Sequence, residues 1–176
     1  LTLVIVIVVA VIAVGVAMYN GLIRSKNQVE NAWSQIDVQL KRRLDLIPNL
    51  VDTVKGYAAH EQETFQQVIA ARNAAIDAPN TPAGQAAPND TLTGALGKLF
   101  ALSEAYPELK ANQNFLALQE ELTATEGRVA YARQFYNDSI LDYNNKIESV
   151  PTVFVAKMLG YQQREYFEAD EAARTA

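Results

Sequence analysis

The chain has no cysteine and a single histidine, His60, among its 176 residues. The first absence excludes disulfides, thiolate metal sites and cysteine nucleophiles. The second excludes a two-histidine zinc site built from one chain. His60-Glu61 opens like the zinc-protease pattern H-E-x-x-H, but the fifth position is Thr64 and the second ligand is missing. Excess positive charge is lacking too: the formal net charge is −5, and no basic patch stands out to neutralise phosphates. Nucleic acid is therefore not an expected partner. No nucleophile, phosphate-binding loop or metal-ligand set stands out, so no catalytic, cofactor-binding or metal residues are expected.

What is present is a long apolar run and helical periodicity. Residues 1–18 are apolar apart from Thr2 and Gly15. As a helix they span about 27 Å, close to the hydrocarbon thickness of a bilayer. A signal peptide is the competing reading, because Gly15-Val16-Ala17 resembles a cleavage site, but the run is longer than a usual signal core. The expectation is a transmembrane anchor over 1–19, with residues upstream of Leu1. Arg24, Lys26 and Lys41-Arg42-Arg43 follow it, which places the remainder on the cytoplasmic side in a single-pass topology.

Val29, Trp33, Ile36, Leu40, Leu44, Ile47, Val51, Val54, Ala58, Phe65 and Val68 recur at three- and four-residue steps, with Glu61 and Arg72 in phase. The spacing predicts one helix from 20 to 77, bent at Pro48, since the phase survives the proline and no turn-forming pair stands beside it. Residues 78–90 (APNTPAGQAAPND) hold three prolines and one glycine and predict a mobile loop. A short helix then runs from Thr91 to about Ala105. A second long helix begins at Pro107 and runs to about Ser149. It carries Phe115, Leu118, Leu122, Val129, Tyr136, Ile140 and Ile147 on one face. The fold class is all-α: an N-terminal transmembrane helix continuing into a long antiparallel helical bundle over 20–168, with a charged tail at 169–176. In the expected register, 149 lies level with 34, Arg133 with Asn49 and Asp52, and Glu126 with Tyr57.

Gln119, Glu126 and Arg133 recur every seven residues on that apolar face, joined by Asn137 and Asn144. Buried polar groups need partners. Arg43, Asn49, Glu61, Arg72, Glu126, Arg133 and Asn137 are expected to form an interhelical network that sets register. The sharper alternative pairs Glu61 with Glu126 for acid–base work in a carboxylate-dependent hydrolase. Tyr131 and Phe135 lie opposite the main stripe. With Phe154, Tyr161, Tyr166 and Phe167 they are candidates for contact with a partner or the bilayer.

Several runs together resemble the LemA family: 31–40 (NAWSQIDVQL), 42–51 (RRLDLIPNLV), 55–61 (KGYAAHE), 104–112 (EAYPELKAN), 122–130 (LTATEGRVA) and 132–137 (ARQFYN). Gly127 departs from the family pattern, which more often has a helix-favouring polar residue there. The resemblance implies a bacterial single-pass membrane protein with a cytoplasmic helical bundle and no assigned catalytic residues. Its genomic company implies a membrane zinc protease or a TPM-domain protein as a possible partner, and a relative is found on magnetosome membranes. The functional expectation is a non-enzymatic scaffold or interaction module that contacts membrane lipid and self-associates into a homo-oligomer or docks a membrane partner. An adaptor or regulator of a membrane zinc protease is the alternative.

Overall fold

The computed structural model describes residues 1–167, and every regular element among them is helical. The expected tail at 169–176 lies outside the described residues. The elements are α1 (Thr2–Lys55), α2 (Gln62–Asp77), α3 (Pro82–Leu102), α4 (Pro107–Lys110), α5 (Gln113–Glu148) and α6 (Thr152–Met158). They form two compact units. Unit 1 comprises Leu1–Ser34 and Arg133–Tyr166, and unit 2 comprises Gln35–Ala132 with Phe167.

α1 is unbroken across the expected 19/20 boundary and passes through Pro48 without ending. The expected continuous helix to 77 stops instead at Lys55. Gly56 is a poor helix residue, and the chain tightens there. The Tyr57 and Ala58 amides both donate to the Val54 carbonyl, at 3.0 and 2.9 Å. Ala58 is nonetheless buried, as are Phe65 and Val68 on α2, so the apolar phase continues across a real turn.

The expected loop at 78–90 is overturned: most of it is the first half of α3. Thr81 caps that helix, its Oγ1 accepting from the Gly84 amide at 3.0 Å, and Pro82 occupies the first turn, where a missing N–H costs nothing. Gly84 is required by close approach, since a Cβ there would meet the Pro79 carbonyl oxygen at 2.6 Å. Asn89, expected near a helix start, lies buried inside α3. The expected helix from Pro107 is likewise divided. Pro107 opens the single turn of α4, and Asn112 Oδ1 then accepts from the Phe115 amide at 2.9 Å to start α5.

These shifted ends move the register of the antiparallel α1/α5 pair. In unit 2, Asn114 Nδ2 donates to Thr53 Oγ1 at 2.9 Å; in unit 1, the Trp33 and Tyr136 rings stand 5.7 Å apart. The pairing is displaced from expectation by about fifteen residues, roughly four helical turns. The turn lies at Gly56, not at a loop after Asp77, so the facing helix starts opposite Lys55.

Unit 2 encloses a continuous aliphatic and aromatic cluster running from Leu44 to Leu122, with α2 and α3 packed closely on each other. In unit 1, Leu22, Val29 and Ala32 of α1 are buried along with Tyr136, Ile140, Tyr143 and Ile147 of α5. A segment after α6 completes this unit. Gly160 at φ 73° reverses the chain, and the Tyr161 amide donates to the Ala156 carbonyl at 2.9 Å, the pattern of a glycine-terminated helix.

Candidate functional site

The densest polar construction lies in unit 2 around Arg43, whose side chain is almost wholly buried. Its guanidinium donates to the Asn89 carbonyl and Oδ1 (3.0 and 2.8 Å), to Thr93 Oγ1 (2.8 Å) and to Glu126 Oε1 (3.3 Å). Asn89 Nδ2 in turn donates to both the backbone and side-chain oxygens of Gln85, at 2.8 Å each. Gln85 Nε2 closes the chain on the Ala75, Ala78 and Pro79 carbonyls, at 3.3, 3.2 and 3.3 Å. One guanidinium on α1 thus ties α3 and α5, and the relay continues to the end of α2. Neutral acceptors carry most of it, and the one carboxylate, Glu126, is 44% exposed. Desolvation is therefore borne by the cation, whose two terminal nitrogens the acceptors satisfy.

A second construction explains how α1 tolerates Pro48. Proline has no amide hydrogen, so the carbonyl four residues earlier, that of Leu44, loses its intrahelical donor. Arg72 Nε on α2 supplies the replacement, donating to the Leu44 carbonyl at 2.9 Å. Beside this contact lies a groove of about 350 Å³ lined by Leu40, Leu44, Arg72, Ala75, Ile76 and Gln85, with Asp37 and Lys41 paired at its edge at 2.6 Å. Its charges are of mixed sign. Among the described residues no cluster of three histidine, aspartate or glutamate side chains could hold a metal ion.

The LemA family model matches residues 32–176. Protein LemA of Metamycoplasma hominis is 31% identical over 158 residues, which is 88% of this chain and 71% of that protein. The chain belongs to the LemA family. Magnetosome protein MamQ of Magnetospirillum gryphiswaldense is 26% identical over 182 residues, 89% of this chain and 67% of that protein. Magnetosome protein MamQ 1 of Paramagnetospirillum magneticum is 26% identical over 193 residues, 96% of this chain and 71% of that protein. In this LemA-family chain α1 contains an 18-residue stretch near the N-terminus that is long and apolar enough to cross a membrane, and none of that stretch is buried. With these relatives, that suggests a single-pass membrane protein.

Within the LemA-family fold, the residues expected to form one network separate into several. Arg43 and Glu126 do meet. Arg72 serves the Leu44 carbonyl, and Asn49 is exposed, its carbonyl accepting from Thr53 Oγ1 at 2.8 Å. Glu61 accepts from the Tyr106 hydroxyl at 3.2 Å, and that hydrogen bond raises the Tyr106 pKa above the ordinary phenol value. Arg133 and Asn137 are half-buried members of unit 1, whereas Asn49 and Asp52 belong to unit 2. Glu126 stands by Arg43 rather than Tyr57, whose hydroxyl instead accepts from Asn112 Nδ2 at 2.8 Å. The carboxylate-pair reading fails on the same geometry. Glu61 lies beyond the end of α1, and Arg43, which holds Glu126, is about 18 Å back along that helix. His60 is exposed.

Gln85 and Asn89 were missed because their segment reads as a loop, and Thr93 because the short helix from Thr91 was read from its apolar residues alone. The signal was present: Gln85, Asn89, Thr93 and Gly97 keep a four-residue step beside Leu92, Leu96 and Leu99, and Thr81-Pro82 is a helix-start pair.

In unit 1 the polar residues hold backbone. Asn144 Nδ2 donates to the Arg164 carbonyl at 3.2 Å, and its Oδ1 accepts from the Arg164 amide at 2.9 Å. Its partner is thus the returning C-terminal segment and not the facing helix. The Arg164 guanidinium lies 5.4 Å over the Tyr143 ring and reaches Glu30 at 3.4 Å. Ser25 Oγ donates to Asp142 Oδ2 at 3.1 Å. Among the contact candidates, Tyr131 and Phe154 are the more exposed, at 76% and 68%. Phe135 and Tyr166 are each 38% exposed. Tyr161 is half-buried with its ring 6.4 Å from Tyr143, and Phe167 is fully buried. Those two side chains serve the interior and present little to a partner or a bilayer.

Proposed function

We propose that this LemA-family chain is a membrane-anchored scaffold that works by contact, self-associating or docking a membrane partner. The observation that carries this is α1 itself. Residues 3–14 are exposed and apolar, and from Leu22 the same unbroken helix presents a buried stripe. This continuity supports reading the apolar stretch as an anchor that shares one helix with the folded domain. Tyr131, a large ring left 76% exposed on unit 2, supplies a surface for a partner. The positive-inside bias of Arg24, Lys26 and Lys41 to Arg43 puts the helical domain on the cytoplasmic face of a bacterial inner membrane.

Crosslinking in native membranes, followed by detergent extraction, tests the role. Crosslinked multimers of this polypeptide support the scaffold, and a bound membrane protease or TPM-domain protein supports the adaptor form. A strict monomer with nothing attached rejects both. Orientation is tested on a Val38→Cys variant, which places the only thiol on an exposed position. A membrane-impermeant maleimide labels it only after the cells are permeabilised; labelling of intact spheroplasts overturns the cytoplasmic assignment.

A further inference from the structure

We infer that α6 is a second membrane contact, a foot that rests in the headgroup layer beside the anchor. This rests on the reading of residues 1–19 as a membrane span. All the elements involved belong to unit 1. The Ser25–Asp142 hydrogen bond sets the level of α5 on α1. Going six residues on from Asp142 reaches the end of α5, and six residues back from Ser25 reaches Tyr19, so both lie about 9 Å further along the pair. Tyr19 is where the apolar run ends. α5 therefore terminates level with the edge of the span.

The chain that follows is held at that edge. Gln163 Nε2 donates to Glu148 Oε1, and Arg164 is bound through both its backbone amide and carbonyl to Asn144. The intervening residues 149–162 form a closed excursion whose two ends meet at the last turns of α5. Within it, Ala156 is the buried side of α6, while Val150, Phe154 and Met158 are 77%, 68% and 78% exposed. Their four-residue step puts Phe154 and Met158 on one face. Three bulky apolar side chains so uncovered are costly in water, and a bilayer is the apolar phase that this end of the unit adjoins. Charge agrees: Arg24 and Lys157 are exposed and form no ion pair among the described residues, as suits anionic headgroups. A short amphipathic element in such a position buries its apolar face about 5–10 Å into the headgroup and acyl boundary.

The experiment uses the full chain in vesicles of phosphatidylcholine and phosphatidylglycerol, carrying single cysteines labelled with an environment-sensitive fluorophore. Phe154→Cys reports the foot, Val8→Cys the anchor and Val38→Cys the exposed surface of unit 2. Phosphatidylcholine spin-labelled near its headgroup is the quencher. The expected result is a blue-shifted emission at 154 that the quencher extinguishes, with little loss at 38. Lys157→Glu in the 154-labelled protein reduces the quenching in anionic vesicles. A label at 8 quenched by acyl-chain spin labels, with the label at 154 wet and unquenched, overturns the foot and leaves the anchor standing. A label at 154 that is shielded but unquenched means that a second protein covers it, and overturns the foot as well. No quenching at 8 overturns the anchor reading and the foot with it.

Discussion

Unit 2 and unit 1 solve the same packing problem with different numbers of helices. In unit 2, α1, α2, α3 and α5 surround an aliphatic cluster deep enough to bury the Arg43 guanidinium among acceptors from α3. In unit 1, two long helices have no third long partner among the described residues. Their interface is made of large rings, Trp33 on Tyr136 and Tyr143 beneath Tyr161 and Arg164, closed over by backbone bonded to Asn144. Two cylinders in contact bury only a stripe, so long planar side chains and a returning strand of chain must cover the rest. The lesson is that buried polar groups specify helix neighbours where the core is thick, and pin loose chain where it is thin.

The largest effect expected is at Arg43. Arg43→Ala leaves buried Asn89 without its donor and should lower stability by about 3 kcal/mol, read as thermal unfolding in detergent. Amide exchange should accelerate first in α3. A loss below about 0.5 kcal/mol would mean that the cluster alone holds α3 and that the contrast with unit 1 is empty. Next comes Asn144→Ala, which removes two hydrogen bonds and should cost about 2 kcal/mol. Faster exchange is expected at Arg164, with α2 and α3 unaffected; uniform acceleration would show that the return segment supports both units.

A smaller effect tests the proline repair in unit 2. Arg72→Ala should cost about 1 kcal/mol in the parent and clearly less in a Pro48→Ala background, where alanine restores the donor to the Leu44 carbonyl. Equal costs in both backgrounds would show that Arg72 acts elsewhere. The smallest is at Ser25. Lys146, by its hydrogen bond, and then Ser25 hold the Asp142 carboxyl below its usual pKa, against the desolvation that raises it. A carboxyl lowered in the folded state contributes stability above the ordinary carboxylate pKa, and that contribution is lost as pH falls through the folded value. Ser25→Ala should therefore cost under about 1 kcal/mol at neutral pH, with the difference from the parent fading below about pH 4. A difference that persists in acid would mean the serine contributes by packing.

The sequence by itself determined the helical class, the apolar first helix and the buried stripe of α1, because a helix brings residues three and four apart onto one face regardless of what covers it. Val29, Ile36, Leu40, Ile47, Val51 and Val54 could be named as core from spacing alone, and all are buried. The same rule hid the turn at Gly56. Ala58 and Phe65 keep their phase through it, and periodicity reports which side is buried without reporting where the axis changes direction. Prolines misled in the other direction: Pro82 and Pro88 read as a loop, yet Thr81 and Pro82 start a helix, and the Gln85–Asn89 bond holds its first turns. Only the tertiary structure decided which carbonyl Arg72 would repair, that Arg43 would meet Asn89, and that Phe154 and Met158 would be left uncovered. Those outcomes depend on which helix ends face each other, and moving one turn from Asp77 to Gly56 changes every pairing on the facing helix at once.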